Sequence, residues 1–206
     1  MISGNKLKPI IGGLILIIGG LILIGYNEAI PTNPEYISDG FDFPVGKPNA
    51  IGYTDKQPFG KNYHLGSDWN GNGGGNTDLG DNIYAISNGY VKSAKNLGGG
   101  WGNVIRIIHE LPSGKQVESL YAHCDKILVK PNTFVKKGQV IGTIGTNNGQ
   151  YLAHLHFEIR DINQKPLNPL NYGIDVQDNR APSILGLKIY SLYKNMEIKN
   201  SKNLTF

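Results

Sequence analysis

The chain has 206 residues, 39% of them hydrophobic and 17% charged, which suits one folded domain with appendages and excludes a disordered chain. A net charge of +4 is only mildly basic and no compact basic-aromatic patch accompanies it, so nucleic acid is excluded as a partner. The single cysteine excludes an intramolecular disulfide, and 28 glycines with 11 prolines favour short strands and turns over long helices.

Residues 1–8 form a short basic N-terminus carrying Lys6 and Lys8. Residues 9–26 are uncharged and apolar, near the length of one transmembrane helix. Positive charge before this run and Glu28 after it predict a cytoplasmic N-terminus with the rest of the chain outside. Asn27-Glu28-Ala29 is a poor cleavage site, so an uncleaved anchor is expected ahead of a cleaved signal. Residues 27–48, with Pro31, Pro34, Pro44 and Pro48, read as a linker, and the main domain is expected over 49–173.

Within that domain, the Asn/Gly-rich segment 70–76 reads as a groove wall or a surface insertion. No Lys-Ser/Thr follows it, which excludes a phosphate cradle. Residues 83–86 predict a short strand, joined through Asn88-Gly89 to a second strand at 90–94 as a hairpin. Residues 103–109 predict another strand, which turns at 111–114 and pairs with 116–123. His123 then sits at a strand end, where side chains line a cleft rim. Val140, Ile141 and Ile144 mark a further strand, 146–150 a loop, and 153–160 a last strand of the domain. Residues 174–206 are a C-terminal extension with one strand at 184–190, which adds to the main sheet or begins a further domain.

Four of the five histidines fall into three patterns: His64-x-x-x-Asp68, Tyr121-Ala122-His123 and His154-Leu155-His156. Residues two apart on a strand share a face, so His154 and His156 point one way, with Cα atoms about 6.5–7 Å apart. His64 and Asp68, four apart, share a face in a strand or a helix. Two histidines and one carboxylate form a ligand set that zinc enzymes use when a position stays open for water. Spacing alone does not choose between His154 and His156 as a ligand. Glu158 and Arg160 share the histidine face, and Glu158 reads either as an acceptor that orients a histidine or as an exposed strand charge. Alternation points Cys124 away from the His123 face, as a buried small hydrophobe. His109 lies outside the patterns and reads as an exposed strand residue.

The stretch from about Gly60 to Asn171 resembles the lysostaphin-like (LytM-type, M23) zinc metallopeptidases. The matching residues are His64-Leu65-Gly66-Ser67-Asp68-Trp69, Gly89-Tyr90-Val91, Gly100-Trp101-Gly102-Asn103 and Tyr121-Ala122-His123. Val135-Lys136-Lys137-Gly138-Gln139-Val140-Ile141-Gly142 and His154-Leu155-His156-Phe157-Glu158 continue the match. The resemblance implies an all-β fold whose antiparallel sheets form an open groove (the duplicated hybrid motif type) with the metal on its floor. It implies Zn2+ held by His64, Asp68 and His156, with His154 as general base and His123 as oxyanion donor, two roles that can be exchanged. It implies hydrolysis of peptide bonds in peptidoglycan, at a stem crosslink or an oligoglycine bridge, in the bacterial cell envelope. The peptidoglycan peptide and, through the N-terminal helix, the membrane are then the partners. Ala153 departs from the family, where proline is common, and bears on loop shape and substrate preference. Relatives that serve as binding or activator modules for other wall hydrolases lack zinc ligands, whereas all five positions are filled here. Peptidase activity on a protein substrate is a further alternative.

Overall fold

A computed structural model describes Pro31, residues 33–174, and the strands Leu14–Ile18 (β1) and Leu21–Gly25 (β2). β1 and β2 pair antiparallel, with Leu14 opposite Gly25. The single helix expected over 9–26 is therefore corrected at these residues. Gly19-Gly20 separates the two strands in the sequence as a two-residue hairpin signal, and the Ile-rich runs suit extended backbone. No helix among the described residues is long and apolar enough to cross a membrane. The basic N-terminus and the strand expected at 184–190 lie outside the described residues.

The domain is built from ten strands, all paired antiparallel. They are Tyr53–Gln57 (β3), Ser67–Gly71 (β4), Asn82–Tyr84 (β5), Gly89–Asn96 (β6) and Asn103–Glu110 (β7). Gln116–Ile127 (β8), Phe134–Val135 (β9), Val140–Ile144 (β10), Leu155–Asp161 (β11) and Pro166–Leu167 (β12) complete them. Neighbours run β3-β4-β11-β8-β7-β6-β9, while β10 joins β5 to β8 and β12 flanks β11.

The long strand β8 organises the domain because it changes partner along its length. Up to Ala122 it pairs with β11, and from Cys124 onward with β10. His123 sits at the change, with a left-handed backbone (φ 60) at a bulge in the β7 ladder. An extra residue at a bulge bends the strand and re-aims a side chain. His123 is thus placed within the strand and not at the end expected from the sequence.

Alternation sends one set of side chains into the core. Trp69, Tyr121, Leu155, Phe157 and Ile159 are all essentially buried there, with Ile83, Ile86, Ile105, Ile107, Ile141 and Ile144. Cys124 is buried, as expected, but it joins this cluster because the bulge at His123 brings it to the face of Tyr121, where unbroken alternation would have set it beside Ala122. Burial pushes its thiol up to about 12. The opposite face of β8 and β11 carries His156, Glu158 and Arg160.

The hairpin expected at Asn88-Gly89 does not form: β5 pairs with β10, and β6 with β7 and β9. Asn88 is occupied otherwise, its Oδ1 accepting from Lys137 N and its Nδ2 donating to Ile37 O. Gly89 is required by close approach, since a Cβ there would lie 2.6 Å from Ile108 O. His109 is not exposed but fully buried, with Nδ1 2.8 Å from Asn88 O and Nε2 2.7 Å from Ser119 Oγ. The segment expected as a linker also packs on the domain. Val45 is buried, Phe41 and Phe43 lie against the core, and Tyr84 N donates to Pro44 O at 2.8 Å.

Candidate metal centre

β4 and β11 are neighbours in a register that sets Asp68 directly opposite His156 and Trp69 opposite Leu155. The alternation that buries Trp69 and Leu155 turns Asp68 and His156 to the other face together. His64 precedes β4 at the end of a short turn, Lys61–Tyr63, entered through Gly60 in a left-handed conformation (φ 83). Gly60 N donates to His64 O at 2.9 Å and His64 N to Lys61 O at 3.1 Å, which folds the His64 ring back over β4.

Three ligand atoms converge there. His64 Nε2 lies 3.0 Å from His156 Nδ1 and 3.1 Å from Asp68 Oδ1, and His156 Nδ1 lies 2.8 Å from Asp68 Oδ1. The donor set fits zinc: ligand bonds of about 2.0–2.1 Å in a tetrahedron hold neighbouring ligand atoms about 3.3 Å apart.

The proton positions fit as well. A carbonyl or carboxylate oxygen facing a ring nitrogen accepts, so that nitrogen carries the hydrogen. His64 Nδ1 lies 2.7 Å from Gln57 O, and His156 Nε2 lies 2.9 Å from Glu158 Oε1. His64 Nε2 and His156 Nδ1 are thereby the nitrogens turned into the site. In the metal-free chain His156 Nδ1 also faces Asp68 Oδ1 at 2.8 Å and carries a proton, which a bound metal would displace.

His154 and His123 face the same groove, their rings 4.8 Å apart. His154 Nδ1 is 2.8 Å from Leu152 O and His123 Nδ1 3.2 Å from Trp101 O, so both present Nε2 to the groove. His154 Nε2 stands 3.8 Å from Asp68 Oδ1. The five residues singled out in the sequence thus line one open groove of about 660 Å³, walled in part by Trp101, Tyr151 and Leu152. Among the described residues, His64, Asp68 and His156 form a cluster able to hold a metal ion.

The electrostatics follow from this packing in the metal-free chain. Burial works against charge on His156, but the Asp68 and Glu158 carboxylates outweigh it and raise the imidazole to about 9. Burial would raise Asp68, yet its bond to His156 and the surrounding imidazoles hold it below the usual carboxylate range. Burial, with His154 and His156 adding to it, lowers His123 to about 4.

Several contributors escaped sequence reasoning. The carbonyls of Gln57, Trp101 and Leu152 leave no trace in residue type. Asn76, inside the Asn/Gly-rich segment, accepts from Ala153 N at 2.8 Å and so ties that segment to the residue before His154. Gly66 had a readable signal, a glycine between two paired site residues. A Cβ on it would lie 2.1 Å from Phe157 O.

The profile of peptidase family M23 matches residues 62–169. The murein hydrolase activator NlpD of Escherichia coli is 42% identical over 93 residues, spanning 45% of this chain and 23% of that protein. The DD-carboxypeptidase/endopeptidase Mpg of Neisseria meningitidis is 34% identical over 92 residues, 45% of this chain and 20% of that protein. The chain therefore spans under a quarter of the length of either relative. Lysostaphin from Staphylococcus simulans matches in structure with a TM-score of 0.51 and 25% identity, covering 66% of this chain and 57% of lysostaphin.

Proposed function

The chain belongs to peptidase family M23, and from that membership we propose that it is a zinc-dependent endopeptidase hydrolysing peptide bonds in peptidoglycan. The observation that carries this reading is the convergence of His64 Nε2, Asp68 Oδ1 and His156 Nδ1 within about 3 Å of one another, with two further imidazoles on the same groove. We take those three as the metal ligands and His154 and His123 as the catalytic pair. Zinc bound there would supply Lewis acidity, polarising the scissile carbonyl and lowering the pKa of water toward ~7.

His154 is assigned as general base because its Nδ1 is committed to Leu152 O and its Nε2 stands 3.8 Å from Asp68 Oδ1. His123 meets the groove with Nε2 also, its Nδ1 held by Trp101 O. Lowered to about 4, its ring is neutral near pH 7 and would donate to the developing oxyanion as the tautomer with hydrogen on Nε2, giving up the 3.2 Å contact to Trp101 O. Exchange of the two roles is compatible with the same geometry. An extended peptide fits the open groove, and the bond cut is a stem crosslink or an oligoglycine bridge. Murein as substrate locates the protein in the bacterial cell envelope.

The similarity to a murein hydrolase activator favours a second reading, a module that binds murein or activates another hydrolase without cutting. The filled ligand set favours the enzyme. Purified wild type and His156→Ala separate the two when assayed for zinc and for peptide release from peptidoglycan. About one zinc per chain is expected, with release lost in the variant and in chelator. Zinc without release moves the substrate to another polymer or protein. No zinc in a folded sample favours the activator.

A further inference from the structure

We infer that Glu158, clamped by Arg160 beneath Trp101, is a positioning residue that fixes the His156 imidazole for metal binding; this rests on the metal-centre reading above. Alternation along β11 puts His156, Glu158 and Arg160 on one face. Glu158 divides its carboxylate between them: Oε1 lies 2.9 Å from His156 Nε2, and Oε2 accepts from Arg160 Nε at 2.7 Å. Glu158 has no exposed surface. A carboxylate cut off from water stays ionised when its oxygens are met by charge and hydrogen bonds, and both oxygens are.

Trp101 provides the cover. Its indole packs on Val104, Leu120 and Ala122, and Leu120 and Ala122 lie directly opposite Glu158 and His156 in the ladder. The Arg160 guanidinium sits 5.7 Å from the indole centroid, and the indole meets the His156 ring at 5.6 Å. The indole thus lies against Arg160 and His156, while the backbone carbonyl of the same residue holds His123. With Nε2–H bound to a fixed carboxylate, the His156 ring is held with Nδ1 towards Asp68 and His64, so that Nδ1 is the nitrogen offered to a metal and the ring cannot rotate away.

Glu118 offers an internal control. It is equally buried on the same sheet but pairs with Arg106 and Lys92, not with a histidine. The test is zinc affinity, measured on the full chain by competition with a chromophoric chelator. Glu158→Gln is expected to weaken zinc binding about 10–100-fold, and Arg160→Gln by a smaller factor. Glu118→Gln is expected to lower thermal stability and leave zinc affinity unchanged. In the zinc-loaded protein, the His156 Nε2–H resonance is expected to resist exchange in wild type and to exchange faster in Glu158→Gln. Zinc affinity within twofold of wild type for a folded Glu158→Gln overturns the positioning role, as does a Glu118→Gln loss of equal size. Should Glu158→Gln fail to fold, unchanged affinity and exchange in Arg160→Gln overturn it instead. A wild-type protein that binds no zinc overturns the metal-centre reading itself.

Discussion

Gly66→Ala probes the seam on which the metal centre is built. The glycine stands between His64 and Asp68, where the chain enters β4 against β11. A Cβ there would lie 2.1 Å from Phe157 O, 2.7 Å from Glu158 Cγ and 2.9 Å from Phe157 C. The first contact is some 0.9 Å short of the 3.0 Å below which real Cβ atoms do not approach. The obstacle is backbone, so no side-chain rotation relieves it. β4 and β11 must part next to the pairs Phe157–Ser67 and His156–Asp68. Over-packing costs about 1–3 kcal/mol, and stretching one or two ladder hydrogen bonds adds about 1 kcal/mol each. A loss near 3 kcal/mol lowers the unfolding midpoint by roughly 6–12 °C in a chain of this size. The same displacement separates Asp68 from His156, so zinc affinity falls with stability. Thermal unfolding of the metal-free protein and chelator competition read the two effects. If Gly66→Ala matches wild type in both, the close approach is not a constraint and the account of the seam is wrong.

Three other outcomes follow from buried groups. Burial lowers His109 to about 4, against the pull of Asn88 O, so the folded chain keeps it neutral where the unfolded chain takes a proton near 6.5. Its contribution to stability is complete above pH 6.5 and is lost as pH falls toward 4, amounting to about 3 kcal/mol; denaturant titrations of His109→Gln across that window should show a shallower dependence on pH than wild type. Cys124, buried and raised to about 12, should resist thiol reagents in the native protein and react fully after denaturation, a contrast that mass spectrometry measures. Asn76→Ala removes the acceptor for Ala153 N and should cost about 1–2 kcal/mol in denaturant unfolding, with slower turnover because Ala153 adjoins His154.

The site was more legible in the sequence than the path of the chain around it. His154 and His156 share a face because strand periodicity is fixed at two, and Glu158 shares it for the same reason. His64 and Asp68 come together through their spacing and the Lys61–Tyr63 turn. Local patterns failed where tertiary partners decided the outcome. Asn88-Gly89 has the chemistry of a hairpin turn, yet the Asn88 side chain bonds Lys137 N and Ile37 O, and β5 finds β10 instead. His109 carries a polar ring, but the Asn88 carbonyl and the Ser119 hydroxyl satisfy it inside the core. The bulge at His123 has no signature in residue type, since it arises where β8 changes partner from β11 to β10. Phe41, Phe43 and Val45 lie in a proline-rich stretch that reads as a linker, and it is their apolar side chains that draw it onto the domain.

The most direct test of the central claim is mass spectrometry of purified peptidoglycan incubated with the zinc-loaded chain alone. The account predicts soluble fragments with new amine and carboxylate ends at one peptide bond, absent with chelator and absent with Asp68→Ala. Unchanged peptidoglycan, together with greater release by a separate wall hydrolase when this chain is added, would contradict it and assign the groove to activation instead of cleavage.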